Sequence, residues 1–576
     1  MPGSSRADAL RWLPCLVFVA ALAACDNGSN GGVLPGRWHG PGGASTGSSS
    51  GTASGSGSGS SSGGSYSLDD GGAAAVDDAG PIGTPPPPDP NLTAQQCGVC
   101  HVTIYQQWTQ SMHSHGLTSP TMIAQTNQDV AQTFAGTSNP DPYKFCVNCH
   151  SPNVAAAVPG ATLPVPASTQ STDGVSCTTC HQFDGDPEKG SGAFAGDYQG
   201  DGYQTGFLPA KEYAGELDSP VPNSIHTTTS GKNFNPNPNK LCANCHEVWI
   251  DYDHDGIVEK GLDLALQTTW DEYTEYKTLG GNETCVSCHM PVDTSQTRAA
   301  DGAQIPGQQS AVAPPRQVHD HSFVGTDFAL DTLAQQQSTL AARTALLQSA
   351  AFFTIDRQSI GFDSDGLGFD VFIANQGTGH NLPSGFAFAR QMWVEIVATD
   401  ANGDTVFQSG VVANPEDDLC DGDSLFERGN PMKPFFQSCP DVDDQLVTFQ
   451  QKLVDLAGFQ ADGSDPFDPA GLTKAVQLGN ETWLQYLHGG VVARVRTFDG
   501  VQQAALKPFQ QEEFHYDLPV SQSSGLHISA RLLWRGLAPY FMRALASGQP
   551  SSETPQVAPL IGNIETLVMA TDAVDL

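Results

Sequence analysis

Period-two alternation of apolar and polar residues marks the later part of the chain. AFFTIDR (351–357), GFDVFIANQ (368–376), QMWVEIVATD (391–400), TVFQSGVVA (405–413), GGVVARVRTF (489–498) and LHISARLLWR (526–535) all carry it, separated by turns such as Ala401-Asn402-Gly403-Asp404. Successive side chains on a strand point to opposite faces, so segments of this kind bury one face and wet the other. Several short ones together predict a β-sandwich domain over 351–576. Just ahead of them, DTLAQQQSTLAARTALLQSA has helical spacing and predicts a connecting helix over 326–350, with Thr326 or Asp327 as its N-cap. A second helical pattern, TAQQCGVCHVTIYQQWTQSMHSHG, predicts one helix over 93–116 closed by Gly116.

The N-terminal pattern is of another kind. Arg6 and Arg11 precede an apolar run from Trp12 to Ala24 that is too short to span a bilayer and reads as a signal segment, residues 1–25. It ends Leu22-Ala23-Ala24-Cys25, which resembles the bacterial lipobox. That resemblance implies a lipidated Cys25 and a membrane anchor. Asp26 directly after it would favour inner-membrane retention under the enteric sorting rule. Residues 26–92 are Gly/Ser-rich and then Pro-rich, with almost nothing large and apolar to bury, and are expected to form a disordered tether reaching roughly 45 Å.

Composition narrows the class. Lys+Arg 25 against Asp+Glu 62 leaves a formal charge of −37, which repels a phosphate backbone and argues against nucleic acid as a partner. Fourteen cysteines in an exported chain imply disulfides or covalent cofactors.

Ten of the fourteen fall in C-x-x-C-H, which occurs five times: Cys97, Cys100 and His101; Cys146, Cys149 and His150; Cys177, Cys180 and His181; Cys242, Cys245 and His246; Cys285, Cys288 and His289. Two thiols three residues apart reach both vinyl groups of one haem, and the adjacent His lies under the iron. Five covalent haem c groups are expected. Structural zinc also uses C-x-x-C pairs, but zinc does not require a His after the second Cys every time. No C-x-x-C-K occurs, so the Lys-ligated haem of pentahaem nitrite reductases is not expected.

Tyr105, Trp108, Ser111 and His113 follow the first motif as Y-x-x-W-x-x-S-x-H. With GVSCTTCH, Ile225-His226 ahead of LCANCHE, CVSCHMP and the HSFVG beginning at His321, this resembles multihaem cytochromes c related to hydroxylamine oxidoreductase and its tetrahaem acceptor, the cytochrome c-554-like family. The resemblance spans about 93–325 and implies a mainly helical, haem-packed pentahaem cytochrome c domain. It also implies that His113, His226 and His321 are distal iron ligands. On a straight helix His113 would lie about 18 Å from His101, so it must serve a different haem, which implies an interlocked cluster. NQGTGHNLPSG followed by DANGDTVFQSG resembles a C-terminal β-domain of some exported multihaem cytochromes. There His380 is either a turn-capping side chain or a distal ligand reaching back to a haem. His115, His319 and His254, with Met112 and Met290, are further candidates for the fifth distal position. His488, His515 and His527 read as structural.

Two features remain. Cys420 and Cys439, the leftover thiols, suggest a disulfide worth roughly 3 kcal/mol, with two free buried thiols as the alternative. DYDHDGIVEKGLD (251–263) resembles the first half of an EF-hand calcium loop, with Asp251, Asp253 and Asp255 at positions 1, 3 and 5. Position 12 is Leu262, so an acidic turn is the other reading. The expectation is a multidomain exported lipoprotein, periplasm-facing or on the outer membrane surface, that relays electrons between redox partner proteins of the envelope. An oxidoreductase acting on hydroxylamine, nitrite or a sulfur oxyanion at a five-coordinate haem is the alternative, and a surface lipoprotein whose β-domain docks a partner is a third class.

Overall fold

The computed structural model describes residues 92–133, 143–157, 173–182, 212–215, 220, 225–230, 238–250, 264–302, 315–362, 364–420, 443–453, 491–493, 505–553 and 555–576. Cys25 and the tether through residue 91, the loop carrying Asp251, Asp253, Asp255 and His254, and Cys439 and His488 lie outside them. All described residues belong to one compact unit. None of the described helices is long and apolar enough to cross a membrane.

The N-terminal region is built from short helices: α1 (Ala94–Cys97), α2 (Val102–Thr109), α3 (Pro120–Thr133), α4 (Lys144–His150), α5 (Pro152–Ala157), α6 (Cys177–His181), α7 (Pro238–Ala243), α8 (Thr269–Thr278) and α9 (Cys285–His289). Two small ladders join them. Strand β1 (Glu212–Gly215) pairs in parallel with β2 (Thr227–Ser230), and β3 (Val248–Ile250) pairs antiparallel with β4 (Leu264–Gln267).

The single helix expected over 93–116 is not formed. The chain turns after Cys97, runs helically as α2, and enters a 3-10 turn at Met112–His115. Ser111 is the break: its backbone is extended (φ −83, ψ 155), and its hydroxyl donates to the Trp108 carbonyl at 2.7 Å. A serine hydroxyl that bonds nearby backbone offers the chain an alternative to the helical ladder.

The connecting helix is shorter than its pattern. Helix α10 spans Leu333–Ala350 with Thr332 at its N-cap position, so neither Thr326 nor Asp327 starts it. Asp327 is held instead by the Arg390 guanidinium, which also donates to the Gly536 carbonyl at 2.7 Å.

After α10 the chain forms β5 (Ala351–Phe362), β6 (Leu367–Asn375), β7 (Gln391–Thr399), β8 (Thr405–Ser409), β9 (Gln451–Leu453), β10 (Val491–Ala493), β11 (Gln511–Leu518), β12 (His527–Arg535) and β13 (Leu567–Asp575). One antiparallel sheet has the order β11-β6-β5 and another β13-β12-β7-β8; β9 pairs with β10. Strands β11 and β13 and the Pro539–Gly548 helix were not anticipated. Strand β8 also stops short of Val411, because Gly410 has φ +69 and donates its N–H to Asp443 at 2.7 Å.

Alternate residues of both sheets enter one core. Phe353, Ile355, Phe369, Val371 and Ile373 from one sheet meet Met392, Val394, Ile396, Ile528, Ala530 and Leu532 from the other, all buried. Each fully buried large apolar side chain contributes about 1.5–3 kcal/mol relative to exposure.

The two regions are not separately cored. Ala124 of α3 packs with Phe541, Ala544 and Leu545 of the Pro539–Gly548 helix and with Leu330, and the Gln128 amide donates to the Leu545 carbonyl. The second contact runs through α8, where the buried Glu272 carboxylate accepts from the Asn381 N–H at 3.1 Å and the Ser384 hydroxyl at 2.6 Å.

Candidate haem-binding site

A C-x-x-C-H segment in helical conformation puts positions i, i+3 and i+4 on one face. Each motif has that turn. In α6 and α9 it is started by a capping box, Ser176 with Thr179 and Thr284 with Ser287. In the first and fourth motifs the same turn is closed by His101 N–H to the Cys97 carbonyl at 2.9 Å and His246 N–H to the Cys242 carbonyl at 3.0 Å. Both thiols and the imidazole of a motif therefore project together.

All five motifs project into one cavity of about 1770 Å³, larger than the roughly 300–1,000 Å³ of a single small-molecule site. His113, His115, His226, His319, His321 and His380 line it as well. The motifs touch through their sulfurs: Cys97 hydrogen-bonds Cys177, Cys149 hydrogen-bonds Cys245, and Cys242 hydrogen-bonds Cys285. The fourth motif thus meets the second and the fifth, and the first meets the third.

Three imidazole pairs face one another across the cavity. His113 and His246 have ring centroids 6.3 Å apart with planes at 55°; His181 and His321 are 6.5 Å apart at 21°; His289 and His380 are 6.4 Å apart at 14°. A metal–imidazole bond is about 2 Å and a ring nitrogen lies roughly 1.1 Å from its centroid, so imidazoles trans on one metal have centroids roughly 6–6.5 Å apart. All three pairs meet that spacing. The residues present therefore fit haem groups held between two histidines. His226 packs edge-on against Tyr213 at 5.3 Å, and its nearest imidazole charges are those of His101 and then His181. Each of these pairings joins residues distant in sequence, and His113 faces the fourth motif and not the first.

The second ring nitrogen of the motif histidines is occupied. His101 Nδ1 donates to the Ala299 carbonyl at 2.9 Å, His181 Nδ1 to Ala214 at 2.7 Å and His289 Nδ1 to Val324 at 2.7 Å. His150 hydrogen-bonds the Gly116 backbone, and His246 Nδ1 lies 2.9 Å from the Gln267 side-chain amide. On the opposite side, His321 Nδ1 bonds the His319 carbonyl and His380 Nδ1 the Asn381 carbonyl, both at 2.8 Å. Donation from Nδ1 to a carbonyl, at His101, His181, His289, His321 and His380, fixes the tautomer and leaves Nε2 with its lone pair for a metal, whereas at His246 the Gln267 amide is the donor and Nδ1 accepts.

Burial disfavours the charged form of the rings deepest in the cavity. It lowers His113 to about 3, with the nearby His246, His289 and His150 adding to the shift, and lowers His150, His246 and His321 to about 4. His181, His226, His289 and His380 are lowered by the same cause. A neutral imidazole is the form that binds a metal.

Residues 96–182 match the family model for cytochrome c554 and c-prime. That span holds the first three motifs and His113. No curated protein matches the chain. Among solved structures, the chain is similar to a penta-heme cytochrome c552 from Thermochromatium tepidum, with 17% identity, 85% of this chain and 100% of that chain covered, and a TM-score of 0.47.

Other sequence-predicted residues lie elsewhere. His515 bonds Asp370 and Asp517 on the sheet, and His527 bonds Asp575. Cys420 is disulfide-bonded, with its partner outside the described residues. The residues not anticipated are Gln267, Glu272 and Phe323. No local pattern marks Glu272, whose partners Asn381 and Ser384 are more than a hundred residues away although Thr268 is local; Phe323 stands inside the HSFVG segment, where attention falls on its histidine.

Proposed function

We propose that this chain is a pentahaem cytochrome c that relays electrons between partner proteins of the bacterial envelope, held to a membrane by a lipid on Cys25. The observation that carries the reading is the set of three cross-cavity histidine pairs, each joining one C-x-x-C-H motif to a histidine outside the motifs, at the separation two axial imidazoles require. Haem iron, when bound, supplies one-electron oxidation and reduction. The chain's own residues do the rest. The ten motif thiols would hold the cofactors, and each pair of imidazoles would hold one iron between them, which would disfavour binding of a substrate there. Contacts between thiols of different motifs bring the attachment points together in two groups, the first motif with the third and the fourth with the second and fifth, all on one cavity. His226, which lines the same cavity as His101, is taken as a further distal ligand on its sequence pattern. The buried core shared by the two sheets supports reading the C-terminal region as a β-sandwich, with His380 on a loop between β6 and β7 joining it to the haem cluster. The calcium loop at Asp251, Asp253 and Asp255 and the Cys420–Cys439 bridge belong to the same proposal on their sequence pattern.

Pyridine haemochrome per protein mass tests the number, with five per chain expected. Electron paramagnetic resonance tests the role. Predominantly low-spin ferric haem is expected; a large high-spin signal that shifts on adding nitrite or cyanide would overturn the relay and favour the oxidoreductase. Replacing Cys25 should release the protein from the membrane fraction.

A further inference from the structure

We propose that Phe323 is a positioning residue that holds two distal histidines, His113 and His321, against their irons. The inference rests on reading those histidines as ligands. Phe323 has φ +45, in the left-handed region where a side chain is strained and where glycine would sit without cost. A phenylalanine held there, at the wall of the cavity, points to a task for its ring. The ring packs edge-on against His113, 4.6 Å between centroids at 65°, and edge-on against His321, 5.9 Å at 84°. It thus stands between the imidazole that faces His246 and the imidazole that faces His181.

Edge-on aromatic contacts are directional, so the ring restricts rotation of both imidazoles about their side-chain bonds. His113 depends on it more. Its Nδ1 is buried without a hydrogen-bond partner, whereas His321 Nδ1 is tied to the His319 carbonyl. With no such bond, the His113 ring is oriented by packing, and Phe323 makes its closest ring contact among the described residues. The same backbone turn serves a third position, because Val324, the next residue, offers its carbonyl to His289 Nδ1 at 2.7 Å. The left-handed residue makes the turn from which the His321 ring meets His181 of the third motif, the Phe323 ring meets His113 and the Val324 carbonyl meets His289 of the fifth motif.

The test uses the full, haem-loaded chain and four variants: Phe323→Gly, Phe323→Tyr, His113→Ala and His321→Ala. Glycine removes the ring while keeping the backbone conformation, so the fold is retained, and thermal melting checks this. Phe323→Gly should add a high-spin ferric signal of one haem, from the His113 site, and at most two, while Phe323→Tyr keeps the wild-type spectrum. His113→Ala and His321→Ala should each add the signal of one haem. If both alanine variants do so and Phe323→Gly stays low-spin, or changes only the melting temperature, Phe323 is packing and the proposal fails. If neither alanine variant adds a signal, the ligand reading itself fails and takes the proposal with it.

Discussion

His380, on the loop after β6, stands opposite His289 in the fifth motif, with their rings nearly parallel at 6.4 Å. The loop that carries it is anchored to the haem region by Glu272, a fully buried carboxylate whose pKa burial raises while bonds from Ser384, Thr268 and the Asn381 N–H oppose the rise. A buried acid with this many donors is a strong tether, because releasing any donor leaves it unpaired in a dry site. The β-region therefore contributes a residue to the cavity lined by the five motifs and does not merely follow the helical region in sequence.

His380→Ala should convert one haem to the high-spin form without loss of covalent haem. Glu272→Ala should produce the same signal in part, through movement of the 380–384 loop, and lower stability by about 1–3 kcal/mol. Glu272→Gln, which keeps one acceptor oxygen, should fall between wild type and alanine. Visible and paramagnetic resonance spectra of the three variants decide it; an unchanged spectrum in His380→Ala removes that residue from the ligand set.

The plane angles predict different paramagnetic signatures. Imidazole π-donation is directional, so near-parallel rings split the iron d orbitals strongly and give rhombic low-spin spectra, while crossed rings shift the largest g-value upward. The pairs at 14° and 21° should give the first kind and His113–His246, at 55°, should lie toward the second. His113→Ala should then remove the high-g component selectively. A uniform spectrum from all sites would contradict the observed angles.

On the sheet, burial pulls the His515 imidazole down, but Asp370 and Asp517 outweigh it and its pKa is raised. A raised histidine stabilises fully below its unfolded value, about 6.5, and the contribution fades as pH rises through the higher folded value. The pair is half-exposed, so screening limits it to less than about 1 kcal/mol. Compared with His515→Gln, wild type should therefore melt slightly higher at pH 6 and equally at alkaline pH. An advantage that grew with pH would count against the pair.

Phe369 is fully buried in the core shared by the two sheets and stacks at 5.6 Å and 16° on Tyr516, its cross-strand partner in β11. Phe369→Ala should cost about 3–5 kcal/mol, read by urea unfolding of the β-region. A loss under about 1 kcal/mol would mean that the two sheets do not share a tight core there.

The features legible in the sequence are local ones. C-x-x-C-H needs one helical turn to bring its three side chains to one face, and that geometry is complete within five residues. Period two likewise sufficed for β5, β6, β7 and β12, although β7 is buried on both faces over Gln391–Ile396. It missed β11, QEEFHYDL, and β13, LVMATDAVD, whose strand state depends on pairing with β6 and β12. The single helix over 93–116 and the early start of α10 were misread for a related reason: Ser111 bonds back to Trp108, and Asp327 is drawn to Arg390, and propensity carries neither fact. Tertiary structure alone decided which imidazole meets which. His113 faces His246, 133 positions on, because α2 and the fourth motif pack on the same cavity; no spacing rule reaches that far. Glu272 and Phe323 belong to the same class, one matched to a loop more than a hundred residues away and the other turned into place by a left-handed backbone. Side-chain spacing is short-ranged, whereas the meeting of two histidines across a cavity is a property of the packed chain.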